Sequence, residues 1–432
     1  MVSARYPYAG FDVRKKFCDC YIPEPKEEAY QMAEAMHVIV DNEIMPRRQE
    51  LDGGWHHDQA VADEAMKAVH RALIDFGLQR GILPESMGGM TLSTSMVQYS
   101  MLIEELARGD VAIATHYVVL GGTFLPMNMA KRTDMLERFG KKLLDDEQHT
   151  GCQAFTEPQG GVDIDDWTQH FQSIRTTATL DGDDYVINGS KIWPGGAGVS
   201  DTVYMTVATT DPALGDDGVI CLYVPVDAPG LSFGTPIEKM GFCCTDVNAE
   251  IYYDNVRVPR EYSATHNTDM KASEMFHALA TRSRITSAAR AVGVMQAVIE
   301  IVLDYTEHRT IAGKPMRERS LFLYLLGDMV TRMEVSRAMY LQTAYMVDQA
   351  GYYAKLAHPD MFSKASAAKS YASHNAVWVA EQAINLMGAY GYSHEYNVEK
   401  YLRDVKMVEL WFGGYERTTM DVMLPFYPVA WA

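Results

Sequence analysis

The hydrophobic periodicity of this chain changes twice along its length, and the order of these changes limits the folds it can adopt. Four early segments carry apolar side chains at helical spacing: 27–50, 57–76, 95–108 and 133–144. The pattern then becomes that of strands, with β-branched and aromatic residues in 176–188, 202–209, 219–226 and 249–258. Helical spacing returns in 279–306, 320–350, 363–387 and 397–411.

This order predicts an α+β chain of several domains. We expect an N-terminal arm over 1–26, a helical domain over 27–150, an antiparallel sheet or barrel over 151–267, and a four-helix bundle over 268–432. No GxGxxG motif follows a predicted strand, so a Rossmann nucleotide site is not predicted.

The charge balance excludes one class of partner. The formal net charge is -19, whereas nucleic acid demands a basic face on its partner. An anionic ligand such as a CoA thioester is not excluded, because a local basic patch suffices.

The cysteines and the N-terminus indicate a cytoplasmic protein. None of the six cysteines has CxxC spacing, so they are interpreted as reduced thiols: Cys18, Cys20, Cys152, Cys221, Cys243 and Cys244. Cys18-x-Cys20 lacks a second ligand pair, and no metal site is predicted. The first residues contain no apolar signal region, and no apolar run of about 20 residues predicts a membrane span.

Several short segments have the composition of a site for a flat ligand. Residues 155–163 (FTEPQGGVD) combine a proline with two glycines, which lets the backbone approach a ligand closely. Trp193 offers a large apolar face for stacking, although a lone tryptophan is more often part of a core. Arg309, beside a Gly-Lys turn, suits a pyrophosphate, although an arginine at this place is more often a solvated helix-end residue.

These segments together resemble acyl-CoA dehydrogenases. The resemblance covers 27–424 and rests on six pieces in the family's order: 155–163 (FTEPQGGVD), 189–195 (GSKIWPG), 253–259 (YDNVRVP), 307–314 (EHRTIAGK), 385–391 (NLMGAYG) and 401–418 (YLRDVKMVELWFGGYERT). It implies that fold, a bound FAD, an acyl-CoA substrate, electron-transferring flavoprotein or a similar acceptor, and a homotetramer. The residues that it assigns to FAD are Phe155, Thr156, Val162, Trp193, Gly195, Arg309, Ser320, Asn385, Gly388 and Ala389.

The resemblance also exposes a departure at the catalytic position. Aligned on Arg403, Lys406 and Gly413, the family's catalytic glutamate falls on Phe412, which cannot accept a proton. The alternative position of that glutamate reads Ser283. Neither of the family's usual positions for the base therefore carries a glutamate.

The base is unknown from the sequence, and several candidates stay open. These are Glu416, Glu409, His116 and Tyr117, with Thr91 as a further possible substrate contact. The resemblance places Arg284, Phe412, Gly413 and Val118 against the substrate. A phenyl ring in place of the base suits a cyclic or otherwise bulky acyl group.

Three functions are compatible with these residues. The leading one is an FAD-dependent acyl-CoA dehydrogenase, or an enoyl-CoA reductase, with a relocated base. A flavin monooxygenase of the same fold would need no such base. A non-catalytic subunit of a heteromeric dehydrogenase is the third, and Arg309 and Asn385 argue against it.

Overall fold

The computed structural model describes residues 12–18, 27–52, 58–90, 92, 95–242, 246–351 and 353–426. Cys20, Thr91, Cys243 and Cys244 lie outside the described residues, as does the side chain of Cys18. Cys152 and Cys221 are buried free thiols.

Helices make up the described N-terminal part of the chain. They are α1 (Val13–Cys18), α2 (Glu27–Ile39), α3 (Gln59–Asp75), α4 (Met96–Gly109), α5 (Val111–Met129) and the short α6 (Thr133–Met135). Two of the predicted helices change their winding, because α2 continues as a π-helical turn over Val40–Ile44 and α6 continues similarly over Leu136–Gly140.

Helix α5 was not predicted, because it is apolar on nearly all sides and shows no clear periodicity. Its start carries a recognisable signal, however. The Asp110 carboxylate accepts hydrogen bonds from the backbone N–H groups of Ala112 and Ile113, at 2.8 and 3.0 Å, as an N-cap does.

The middle of the chain forms a seven-stranded sheet in the described residues. Its strands are β1 (Cys152–Ala154), β2 (Thr177–Asp181), β3 (Asp184–Lys191), β4 (Tyr204–Thr209), β5 (Val219–Val224), β6 (Leu231–Phe233) and β7 (Ile251–Pro259). The spatial order is β1-β4-β2-β3-β7-β6, with β5 on β4. Most pairs are antiparallel as expected, but β4 lies between β1 and β2 and pairs in parallel with both.

The C-terminal part is the expected helical bundle. Its elements are α7 (Ala272–His308), the hairpin β8 (Thr310–Ile311) and β9 (Lys314–Pro315), α8 (Ser320–Asp348), α9 (Pro359–Met387), α10 (Ala389–Tyr392), α11 (Val398–Leu410) and α12 (Gly414–Asp421). Length and composition alone would allow α7 to cross a bilayer, but its apolar window is wholly buried inside the protein.

Helix α7 connects the two hydrophobic cores of the chain. Near its start, Phe276 and Leu279 belong to the core that covers the sheet. From Ile285 onward, its apolar residues belong to the core shared by the N-terminal helices and the bundle. A large cavity lies at this junction.

Candidate active site

A cavity of about 580 Å³ opens between the sheet, α5, α7 and α11. This volume falls in the range of small-molecule and cofactor sites. The predicted residues that line it are Phe155, Thr156, Val162, Trp193, Gly195, Val118, Phe412 and Gly413. The structure therefore brings together eight side chains or backbone positions that come from four separate segments.

A buried ion pair fixes the loop that follows β1. Lys191 Nζ, at the end of β3, donates to Glu157 Oε1 at 2.8 Å and to the Phe155 carbonyl at 2.9 Å. Glu157 also accepts the backbone N–H groups of Arg175 and Thr176. Because these charged side chains are buried and mutually paired, the position of Thr156 in the cavity wall is set by the sheet itself.

Trp193 is the most conspicuous side chain of the sheet wall. Its backbone has φ 71°, and its side chain remains 44% exposed although it lines the cavity. Asn248 Nδ2 donates to the Trp193 carbonyl at 2.6 Å. Two residues later, a Cβ on Gly195 would come within 2.2 Å of Asp246 Oδ1, so a side chain there would displace the Asp246 carboxylate. An exposed indole beside close-packed backbone fits a flat aromatic group such as a flavin ring.

The opposite wall carries the position of special interest. Phe412 lies between α11 and α12 with φ 47°, and Gly413 follows with φ 100°. The Phe412 ring lies 6.5 Å from the Phe155 ring, edge to face. A non-glycine residue in the left-handed region is strained, and such strain is concentrated at functional sites. Here it orients an aromatic ring in the cavity wall.

Arg284 does not line the cavity, although it was expected to contact the substrate. It is completely buried and donates to Asp421 Oδ2 and to Asp165 Oδ2, each at 2.7 Å, and to Ser366 Oγ. Its guanidinium also lies 4.0 Å from the centre of the Phe362 ring. The geometry therefore places Arg284 behind the wall, where the protein's own carboxylates occupy it.

Asp165 is a cavity residue that the sequence analysis missed. It is 4% exposed and lines the cavity, and its Oδ1 has no hydrogen-bond partner among the described residues. Burial raises its pKa, although Arg284 opposes the rise. A Cβ on Gly413 would lie 3.0 Å from the Arg284 nitrogen that bonds Asp165. A carboxylate from another segment thus lies near the place of the missing glutamate.

The proposed replacement bases lie elsewhere. Glu416 is exposed and is not among the described lining residues. Glu409 is buried and paired with Lys406 and with His374. Burial lowers the pKa of His116 to about 4, which makes it a weak base. Tyr117, whose hydroxyl lies 2.9 Å from His70 Nδ1, lines a second cavity of about 30 Å³.

The second cavity adjoins the first on the side of the helical region. Val118 and Ser283 line both cavities, and the smaller one is enclosed by α4, α5 and α7. Ser283, at the family's alternative base position, therefore lines the cavity but offers a hydroxyl where the family has a carboxylate.

The remaining predicted FAD residues do not line the cavity. Arg309, at the end of α7, lies about 40 Å along the helix from Ser283. All of this group are exposed, and none lines the cavity: Arg309, Ser320, Asn385, Gly388 and Ala389. The resemblance assigns Arg309 to the FAD of a neighbouring subunit, and the role of these five residues stays a prediction.

One cluster has potential metal ligands. Asp52, His394 and Glu399 bring ligand atoms within 4.8 Å of one another. Arg403 donates to both Asp52 and Glu399, so an arginine already occupies both carboxylates. We assign no metal to this cluster.

Comparisons with known proteins agree with this geometry. Three family models match in succession: the N-terminal domain of acyl-CoA dehydrogenases over residues 26–142, their middle domain over 152–256 and their C-terminal domain over 275–423. A probable acyl-CoA dehydrogenase of Bacillus subtilis, YngJ, is 30% identical over 400 residues, which cover 91% of this chain and 96% of the relative.

The chain belongs to the acyl-CoA dehydrogenase family.

Other relatives and structures extend the comparison. The cyclohex-1-ene-1-carbonyl-CoA dehydrogenase of Geobacter metallireducens is 28% identical over 395 residues, covering 91% of this chain and 96% of the relative. The structure of butyryl-CoA dehydrogenase from Megasphaera elsdenii superposes with a TM-score of 0.80 at 24% identity, covering 94% of this chain and all of that one. This family member is thus an oxidoreductase with the fold that the sequence predicted.

Proposed function

We propose that this acyl-CoA dehydrogenase family member binds FAD in the large cavity and oxidises the Cα–Cβ bond of a cyclic or otherwise bulky acyl-CoA. The same chemistry in reverse would make it an enoyl-CoA reductase. The observation that carries the proposal is Phe412, a phenyl ring in the cavity wall at the position that the resemblance gives to the catalytic glutamate. An apolar surface there suits an alicyclic group better than a carboxylate does.

The residues present fit FAD. Trp193 and Phe155 offer aromatic surface, Thr156 a hydroxyl, and Gly195 a closely approaching backbone. The cavity has room for a ring system and a thioester. When bound, FAD supplies the acceptor for the hydride that leaves Cβ.

Asp165 is the residue that we assign to the proton transfer. Its carboxylate accepts the Cα proton while the Cβ hydrogen leaves with its electron pair, so that a Cα–Cβ double bond forms. One carboxylate oxygen is held by Arg284 and the other is unpaired among the described residues, which orients the group and leaves an acceptor. Burial, which raises the Asp165 pKa, makes the carboxylate a stronger base than an exposed aspartate.

Two kinds of relative support the acyl group proposed here. The similar proteins of Geobacter metallireducens and Syntrophus aciditrophicus are named cyclohex-1-ene-1-carbonyl-CoA dehydrogenases, and a second Syntrophus relative is named cyclohexane-1-carbonyl-CoA dehydrogenase. We further propose, from the family, a cytoplasmic homotetramer that passes electrons to electron-transferring flavoprotein or a similar acceptor.

A panel of thioesters tests this function. The purified flavoprotein is mixed anaerobically with cyclohexane-1-carbonyl-CoA, cyclohex-1-ene-1-carbonyl-CoA, butyryl-CoA and octanoyl-CoA, and flavin bleaching is followed by absorbance. We expect a cyclic thioester to bleach the flavin at least tenfold faster than either straight chain. Fast bleaching by butyryl- or octanoyl-CoA would contradict the relocated base.

The same preparation separates the alternatives. Rapid NADH- or reductase-dependent oxygen consumption, without bleaching by any thioester, would instead indicate a monooxygenase. A colourless protein that takes up no FAD would indicate a non-catalytic subunit.

A further inference from the structure

Arg290 is a second buried arginine of α7, and it does line the large cavity. Its Nε donates to the Thr286 carbonyl at 3.1 Å, Nη1 to Thr115 Oγ1 at 3.0 Å, and Nη2 to Ser287 Oγ at 3.1 Å. Its guanidinium lies 4.4 Å from the centre of the Trp411 ring. Every group that holds this cation is therefore uncharged.

The acidic residues of the cavity wall do not neutralise Arg290. Asp165 is paired with Arg284, and Asp246 is paired with Lys239 at 3.1 Å. Glu238 is exposed, and no carboxylate among the described residues lies within ion-pair distance of Arg290. Burial lowers the pKa of Arg290 to about 9, which still leaves it charged at neutral pH. Burying a charge without a counter-charge is costly, so a bound anion would stabilise the charged form of Arg290.

The hydrogen-bonding capacity of Arg290 is also incomplete. A guanidinium has five N–H donors, and the three contacts above use three of them. The two terminal nitrogens each retain one N–H, and a carboxylate has two oxygens that can accept from such a pair.

The position of Arg290 identifies which part of a ligand it meets. Through Thr115 it is joined to α5, whose Val118 and Val119 line the cavity beside it. Through Trp411 it adjoins Phe412. Arg290 therefore lies beside the Trp411–Phe412 segment, on the side of the cavity formed by α5 and α7.

We propose that Arg290 binds a carboxylate on the acyl group, so that the substrate is a CoA thioester of a dicarboxylic acid. This inference rests on the proposed function and narrows its substrate class. CoA itself carries phosphates, which are a second possible source of the anion. Thioesters that differ only in their acyl group separate the two sources, because both members of a pair carry the same phosphates.

The test measures binding rather than turnover. Dissociation constants are determined anaerobically by titration calorimetry for two matched pairs: glutaryl-CoA against pentanoyl-CoA, and 4-carboxycyclohexane-1-carbonyl-CoA against cyclohexane-1-carbonyl-CoA. The proteins are the wild type, Arg290→Met, Arg290→Lys, and Arg257→Met as a surface control. Arg257 is half exposed on β7 and pairs with Asp181. Neither residue lines the large cavity.

We expect the wild type to bind at least one carboxylated thioester tenfold or more tightly than its neutral partner. Arg290→Met should raise the dissociation constant of that carboxylated thioester by tenfold to a hundredfold and change the dissociation constant of the neutral thioester less than threefold. The dissociation constants of Arg290→Lys should lie between those of the wild type and Arg290→Met, and those of Arg257→Met should match the wild type.

Two results would overturn the inference: no preference for either carboxylated thioester in the wild type, or equal weakening of both members of a pair by Arg290→Met. The second would point to the CoA phosphates instead. If carboxylated thioesters bind through Arg290 and none bleaches the flavin, the proposed oxidation fails while the inference stands. If neutral cyclic thioesters bleach the flavin and substitution of Arg290 changes the binding of no thioester, the proposed oxidation stands while the inference about Arg290 fails.

Discussion

Arg284 and Arg290 lie less than two turns apart on α7, and both are buried, yet their surroundings differ completely. Arg284 is enclosed by Asp165, Asp421 and Ser366. Arg290 is held by hydroxyls, a carbonyl and the face of Trp411. The protein's own carboxylates neutralise Arg284, whereas Arg290 lines the cavity without a counter-charge among the described residues.

This difference shows how a buried charge can be assigned to structure or to ligand binding. A cation with its own carboxylates is part of the folded framework, because removing it leaves buried negative charge behind. A cation with neutral partners is already uncompensated, so removing it costs the fold little. Stability measurements therefore distinguish the two roles without any knowledge of the substrate.

The largest effect on stability is expected for Arg284→Met. This change leaves Asp165 without its ion-pair partner, while Asp421 keeps Arg417, and should lower the free energy of unfolding by about 3–5 kcal/mol. Arg290→Met is the matched control and should stay within about 1 kcal/mol of the wild type. Its hydroxyl partners remain hydrogen-bonded, since Thr115 donates to the Val111 carbonyl and Ser287 to the Ser283 carbonyl. Urea denaturation of the holoprotein compares the two.

Equal stabilities for the two variants would break the comparison. A large loss for Arg290→Met alone would mean that Arg290 is a framework residue, and its role toward a ligand would then lack its physical basis.

A smaller, pH-dependent effect is expected where an ion pair is only partly buried. His149 Nδ1 lies 2.6 Å from Asp201, and Nε2 lies 2.8 Å from Asp145. Burial alone would lower the His149 pKa, but the hydrogen bonds to Asp201 and Asp145 outweigh it and raise the pKa. A raised folded pKa stabilises the fold below the unfolded value of about 6.5, and this contribution is lost as pH rises through the folded pKa.

His149→Gln should therefore cost more stability at pH 5.5 than at pH 9. Because both aspartates are about half exposed, we expect a difference of only about 1 kcal/mol. Thermal unfolding at the two pH values measures it, and a gap that widens with rising pH would contradict the assignment.

The sequence was informative where its pattern is local. Helical and strand periodicity predicted the bundle and the strand-forming segment 176–188, which folds as β2 and β3, since each depends on residues close in the chain. Helix α5 escaped because an element that is apolar on nearly all sides has no distinguishing period. The parallel pairing of β1 with β4 escaped because it joins strands separated by about fifty residues.

The candidate site divides in the same way. Trp193, Gly195 and Phe412 were found because turn residues and a family motif mark them. Asp165 follows the motif by two residues, and Arg290 is one of several charged residues of α7; neither carries a local signal. Their roles depend on burial and on the presence or absence of partners, which only the folded chain defines.

The most direct test of the account is the bleaching rate of the flavin in Asp165→Asn, with Asp421→Asn as its control. Both changes remove one carboxylate from Arg284, but only Asp165 lines the cavity. With the fastest cyclic or carboxylated thioester, Asp165→Asn should bleach at least a hundredfold more slowly than the wild type. Asp421→Asn should bleach less than tenfold more slowly at equal flavin content. Bleaching of Asp165→Asn at the wild-type rate, or equal losses in both variants, would contradict the assignment of proton transfer to Asp165.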